Sequence, residues 1–234
     1  MKKPKARHVA KASAKQADTG RPAGRAPDQA TDHMRALAAE RIAIESVAPE
    51  LDGGRFHAKS VEGDPVEVEA DIFCDGHDKI AAALLCRRKD SGEWTEAPMA
   101  FVVNDRWRGT FRPASIGRHE FTIIAWRDLF ATWRDEISKK HAAGQPISLQ
   151  LREGRILLEN ALAEPSRATD ADRIALEKLL HLAGDGEDDG TRLATFLGRD
   201  TLELMKRVGA RTNLTRYARD LPLYVDRKAA AFSA

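Results

Sequence analysis

The stretch Trp107-Arg108-Gly109-Thr110-Phe111-Arg112-Pro113 most constrains how this chain can fold. Trp107, Gly109 and Phe111 fall on one face of an extended segment; Arg106, Arg108 and Thr110 fall on the other. That alternation is the period-2 signature of a strand with one buried face. Gly117-Arg118-His119-Glu120-Phe121-Thr122 and Trp126 follow a connection punctuated by Pro113 and Gly117, which predicts an antiparallel hairpin.

Similar segments run from Arg41 to Trp133. Strands are expected over Ile42 to Val47, Val66 to Phe73, Ile80 to Arg87, Trp94 to Val103, Arg106 to Phe111 and Glu120 to Trp126, with a short piece near Phe130. Val66, Val68, Ala70 and Ile72 form the cleanest inward set, opposite Glu67, Glu69 and Asp71. Turn residues separate the segments, among them Asp52-Gly53-Gly54, Gly63-Asp64-Pro65 and Asn104-Asp105. Six or seven short strands at this spacing argue for an Ig-like or fibronectin-like β-sandwich.

The periodicity then changes to that of a helix. Arg134 to Ala143 reads as a helix closed by Gly144, and Leu149 to Ala163 as a second ending before Pro165. Leu176, Leu179, Leu180 and Ala183 give a third an apolar stripe; Leu193, Phe196 and Leu197 mark a fourth. Leu202, Met205 and Val208 mark a fifth, with Asp200 and Glu203 spaced as a capping box. Tyr217 to Asp226 is extended again, with Pro222 confining it to an edge or a strand start. The fold class expected is mainly β with an α insert. Residues 1–40 form a disordered basic tail, 41–133 the β-sandwich, 134–214 a helical insert, and 215–234 a returning strand and linker.

Composition narrows the function. Of the net charge of +2, residues 1–40 carry +5 and the remainder −3. The tail is rich in Lys, Ala, Pro and Gly, which bury too little apolar surface to offset ordering entropy. It is read as a solvated extension in preference to a nucleic-acid contact. No apolar run approaches the roughly 20 residues that span a bilayer, and the basic N-terminus lacks a signal-like apolar core. Cys74 and Cys86 sit inside strand patterns and read as small hydrophobes in a reducing cytoplasm.

Longer word matches go further. The W-x-G-x-F-x-P…G-x-x-x-F pattern resembles the β-sandwich modules that precede the catalytic barrel of alpha-amylase superfamily enzymes. Arg41 to Arg55 (RIAIESVAPELDGGR), Glu62 to Asp78 (EGDPVEVEADIFCDGHD), Asn104 to Gly109 and Phe130 to Arg134 stand in one order. With Lys139-Lys140 and Ala143-Gly144-Gln145, they resemble the N-terminal region of the α-1,4-glucan:maltose-1-phosphate maltosyltransferases. His57 departs from the proline expected in that family. The resemblance implies a sandwich interrupted by a helical bundle, a homodimer formed through both, and retaining maltosyl transfer by a barrel downstream. A (β/α)₈ barrel needs about 250 residues and finds no room here. No catalytic, cofactor-binding or metal residue is therefore carried over, and no cofactor is expected. The chain is expected to be inactive alone, its barrel joined in cis; the alternatives are an autonomous glucan-binding module, or one half of a split enzyme whose barrel is supplied in trans.

Other chemistry is thinly signalled. Asp185-Gly186-Glu187-Asp188-Asp189-Gly190 begins like an EF-hand loop, but Phe196 stands where a bidentate Glu is required. Trp94, Trp107, Trp126 and Trp133 are core residues by default. Contact with an α-glucan by ring stacking is the alternative, with Trp133 the best placed for exposure. Whether the loop Pro49 to Arg55 reaches a substrate site stays open.

Overall fold

The computed structural model describes residues 42–90, 92–164 and 167–228. The basic tail, the helix stop at Pro165 and the final segment from Ala229 lie outside the described residues.

Nine strands and five helices occur among them. The strands are β1 (Ile42–Ala48), β2 (Ala58–Val61), β3 (Val66–Cys74), β4 (Ile80–Arg88), β5 (Thr95–Val103), β6 (Arg106–Phe111), β7 (Gly117–Asp128), β8 (Arg211–Arg216) and β9 (Leu221–Asp226). Between β7 and β8 come α1 (Leu129–Ala142), α2 (Ser148–Ala163), α3 (Asp170–Leu182), α4 (Asp189–Leu197) and α5 (Arg199–Val208). The fold is mainly β with an α insert, as the alternation implied.

The sheet runs β1-β3-β6-β5-β4-β7-β9-β2, with β8 added beside β7. It curls at β5. Thr95 to Pro98 pair with β4, whereas Met99 to Val103 pair with β6. One strand thus serves two layers, and the β3-β6 layer folds over the β4-β7-β9 layer. Val68, Ala70, Ile72, Trp107 and Phe111 from one side meet Leu84, Phe121, Ile123, Leu221 and Leu223 from the other. Phe111 and Phe121 have ring centroids 6.0 Å apart. Gly109 is required between the layers, because a Cβ there would stand 2.8 Å from Met99 Cγ.

Four elements differ from the sequence-based expectation, the last being the short β2. The piece near Phe130 is not a strand but the first turn of α1. Asp128 ends β7 and accepts the Ala131 N–H at 2.8 Å, so the helix begins at once. Phe130, Trp133 and Ile137 then share the buried stripe of α1. Second, β8 is a strand within the region expected to be helical, and it pairs with β7 from Asp128 to Ile124. Third, the capping box belongs to α3, where Thr169 and Asp172 exchange backbone and side-chain bonds. Asp200 caps nothing: the N-cap of α5 is Gly198, with no side-chain bond.

The short β2 lay outside every expected strand. It pairs in parallel with β9, Ala58 opposite Leu223. Pro222 precedes that pairing, at the second position of β9 opposite Glu120 of β7, in keeping with a proline near a strand start. The helices keep a second core, in which Leu151, Leu158, Leu176 and Phe196 are fully enclosed.

Candidate functional site: a cleft between sheet and helices

Where β5 leaves β4, an edge of each strand is released. Ile80, Ala81 and Ala82 of β4 pair with β7 on one side and have no β5 partner on the other. The gap opens into a cleft of about 800 Å³. Ala81 and Ala83 of β4, Pro98 and Met99 of β5, and Trp126 of β7 supply its apolar lining. Lys79, Glu96 and Arg211 line it from the sheet; Asp128, Arg134, Asp135 and Ser138 from α1 and its cap; Glu203 and Lys206 from α5.

Local contacts hold these groups in place. The Lys79 N–H donates to Thr132 Oγ1 at 2.9 Å, and Asp128 N–H donates to Lys79 O at 2.9 Å, tying the start of β4 to α1. Arg134 donates to Leu197 O at 2.5 Å and to Gly198 O at 3.4 Å, satisfying carbonyls at the end of α4. The Arg211 guanidinium lies 3.8 Å from the Trp126 ring centroid and forms a two-pronged bond with Glu96, 2.9 Å on its Nη1 arm. Its Nε is buried and carries no hydrogen bond. Burial pushes the Asp128 carboxyl above its usual range, against the opposing pull of the Ala131 N–H and Lys206.

The tryptophans are placed by packing. Trp107, Trp126 and Trp133 are all buried, and Trp133, expected to be the most exposed, is only 6% exposed. It packs between a tilted Phe130 and an edge-on Phe196 and donates from Nε1 to Gln150 O at 2.9 Å. The half-buried Trp94 lies under Arg87, whose guanidinium is 4.2 Å from its ring centroid. Trp107 and Trp126 nevertheless reach the cleft wall. Sequence spacing gave no sign of the cleft, because its residues come from the sheet and from both ends of the insert.

Other signalled positions have structural uses. In the loop Pro49 to Arg55, Glu50 accepts the Tyr217 hydroxyl at 2.6 Å and Arg219 at 2.7 Å, and no loop residue lines the cleft. Burial and the adjoining Glu50 push the Tyr217 phenol up. In the acidic turn, Asp188 caps α4 by accepting the Thr191 N–H at 3.0 Å, while Arg192 lies 3.4 Å from Asp185. Among the described residues, no cluster of three or more His, Cys, Asp or Glu could hold a metal ion. Cys74 and Cys86 are free, half-buried thiols whose pKa values burial raises. No helix among the described residues is long and apolar enough to cross a membrane.

The family model "Alpha-1,4-glucan:maltose-1-phosphate maltosyltransferase, domain N/S" matches residues 40–227, spanning all nine strands and all five helices. The chain belongs to this family. Relatives described as α-1,4-glucan:maltose-1-phosphate maltosyltransferases make the likeness concrete. The one from Cereibacter sphaeroides is 50% identical over 198 residues, covering 85% of this chain and 32% of that protein. That from Chlorobaculum tepidum is 42% identical, covering 82% and 28%. The Burkholderia pseudomallei relative is 41% identical, covering 98% of this chain and 20% of its own. The chain thus spans about a third or less of the length of these maltosyltransferases.

Proposed function

We propose that this chain is the N/S module of an α-1,4-glucan:maltose-1-phosphate maltosyltransferase acting in the cytoplasm. In that role it braces a catalytic barrel and helps to form a homodimer, and it has no transfer activity by itself. The observation that carries the reading is the family match across residues 40–227, which takes in both the curled sheet and the helices.

The chemistry supports the division of labour. Retaining glycosyl transfer uses two carboxylates about 5 Å apart on either side of the sugar bond. In the amylase-type barrel they project from ends of parallel strands. The sheet here is antiparallel apart from β2 with β9. Of the acidic side chains lining the cleft, Asp128 caps α1, Glu96 pairs with Arg211, Asp135 with Lys139 and Glu203 with Lys206. Two free thiols suit a reducing compartment.

Three experiments test the reading. Replacing the matched segment of the Cereibacter sphaeroides relative with residues 40–227 of this chain should preserve maltosyl transfer; a folded, inactive chimera would count against the module role. The chain alone, given maltose 1-phosphate and a maltooligosaccharide, should release phosphate only at background. Light scattering should report twice the 25.8 kDa chain mass, and a monomer at micromolar concentration would remove the dimer role.

A further inference from the structure

We propose that a groove at one open end of the two sheet layers is filled by this chain's own segment leading into β1, with Met34 and Leu37 as the side chains that seat in it.

The groove is left by the curl of the sheet. Ile72 and Cys74 at the end of β3, Ile80 at the start of β4, and Phe101 and Trp107 of the β5-β6 hairpin surround a space of about 440 Å³. Its rim is apolar and uncovered. Phe101 meets Trp107 edge-on, with 5.7 Å between ring centroids, yet remains 58% exposed, and Phe73, Val102 and Val103 are exposed as well. Large apolar groups gathered in this way mark a surface that another apolar group covers.

Chain geometry selects the occupant. Ile42 pairs with Cys74 and Ala43 with Phe73, so the residues before Ile42 enter the fold beside the groove. Leu37 stands five positions before Ile42 and Met34 eight. At no more than about 3.6 Å per residue, the two are confined to within about 18 and 29 Å of Ile42. A tether this short holds them at an effective concentration in the millimolar range, which lets even a small apolar contact be occupied. Met34 and Leu37 are also the only large apolar residues between Val9 and Ile42, and a spacing of three puts them on one side of a helical turn. The far end of the described chain is badly placed to compete. Asp226 O accepts the Glu62 N–H at 3.0 Å and Pro113 O accepts the Gly63 N–H at 2.9 Å, which sets the end of β9 near the start of β3. The whole of β3, Val66–Cys74, separates that point from the groove.

Charge favours the same segment. Burial raises the Cys74 thiol, and against Arg127 the Asp78, Asp75 and Asp105 carboxylates push it up further, so three carboxylates gather at this end. Asp78 pairs with Arg127 at 2.6 Å, whereas Asp75 and Asp105 have no ion-pair partner among the described residues. Residues 1–40 carry +5, Arg41 immediately precedes Ile42, and Asp75 immediately follows its partner Cys74. A basic tail is drawn to such a rim and an acidic partner is repelled by it.

Cys74 reports on occupancy, because its half-buried thiol lines the groove. Maleimide labelling of the full chain, with Cys74 and Cys86 resolved by peptide mass, provides the test. Met34→Asp/Leu37→Asp lies outside the described fold and should let Cys74 react at least fivefold faster than in the parent, with the Cys86 rate unchanged. A chain lacking residues 1–28 should label like the parent, since it keeps both side chains and their tether. Should the double variant prove insoluble, Met34→Ser/Leu37→Ser carries the same comparison. Equal Cys74 rates in the parent and the double variant would overturn the proposal. Protection lost on dilution would overturn it in favour of a second copy in the groove, and protection lost with residues 1–28 in favour of a contact made by the distal basic tail. No step of the measurement involves maltosyl transfer, so its failure leaves the module reading standing.

Discussion

Gly154 lies in the middle of α2, where helix propensity alone favours its replacement by alanine by about 1 kcal/mol. Packing reverses that sign. A Cβ at Gly154 would stand 2.3 Å from Trp133 Cζ2, 2.6 Å from Trp133 Cη2 and 3.1 Å from Phe196 Cε1. Carbon atoms prefer about 3.5–4.0 Å, so the indole must move by more than an ångström. It is not free to do so, since Phe130 and Phe196 hold its faces and edge and its Nε1–H is bonded to Gln150 O. Overpacking of this kind costs about 1–3 kcal/mol, and disturbing the indole bond adds about 1 kcal/mol. With the propensity gain set against these, Gly154→Ala should lose about 2 kcal/mol. At about 2–4 °C per kcal/mol for a chain of this size, the melting temperature should fall by roughly 4–8 °C. Thermal unfolding by circular dichroism reads the shift. The double variant Trp133→Leu/Gly154→Ala should show almost none of the added cost, because the clashing ring is gone. A melting temperature that is unchanged or raised in Gly154→Ala, or costs that simply add in the double variant, would refute the argument.

Other expectations follow from single contacts. Thr169→Ala should destabilise the chain by about 1 kcal/mol by removing the capping box of α3, while Asp200→Ala should stay within about 0.5 kcal/mol, both read by urea denaturation. Asp128 titrates above its ordinary value, so its ionised form is disfavoured in the folded chain and its contribution to stability falls as pH rises from the unfolded pKa through the folded one. Asp128→Asn keeps a capping oxygen and should raise the melting temperature at pH 7 relative to the parent, with the difference shrinking below pH 3.8, the ordinary value of the carboxyl. Asp172 is shifted the other way by its bonds to Arg207 and Thr169; its stabilising contribution is present above the ordinary carboxylate value and lost as pH falls through the lowered one. Thr169→Ala should therefore cost less at pH 2 than at pH 7, and equal costs would contradict the coupling.

Local pattern carried most of the strands. β6 runs from Arg106 to Phe111 as its alternation required, and β3 buries Val66, Val68, Ala70 and Ile72 on one face. Where pattern failed, the deciding partner was distant in sequence. β2 is four residues long and is a strand because β9, some 165 positions later, pairs with it. Arg211 to Arg216 is polar and weakly patterned, and becomes β8 because the end of β7 offers a free edge. Phe130 fits a strand or a helix equally well by its apolar character; the Asp128 cap and the Trp133-Phe196 contact settle it as helix.

By itself, the sequence determined the two periodicities, the change from strands to helices near Phe130, and the word pattern that marks the family. These are short-range properties, set by which side chains alternate and which turn residues interrupt them. The tertiary structure alone decided that β5 divides its pairing between two layers, that Trp133 is enclosed against a glycine, and that eight charged residues meet across one cleft. The cleft joins groups more than a hundred positions apart, as Glu96 and Arg211 are, while the division of β5 and the Trp133-Gly154 contact join nearer segments that only packing brings face to face. Their meeting is a consequence of how the layers pack, which no local spacing encodes.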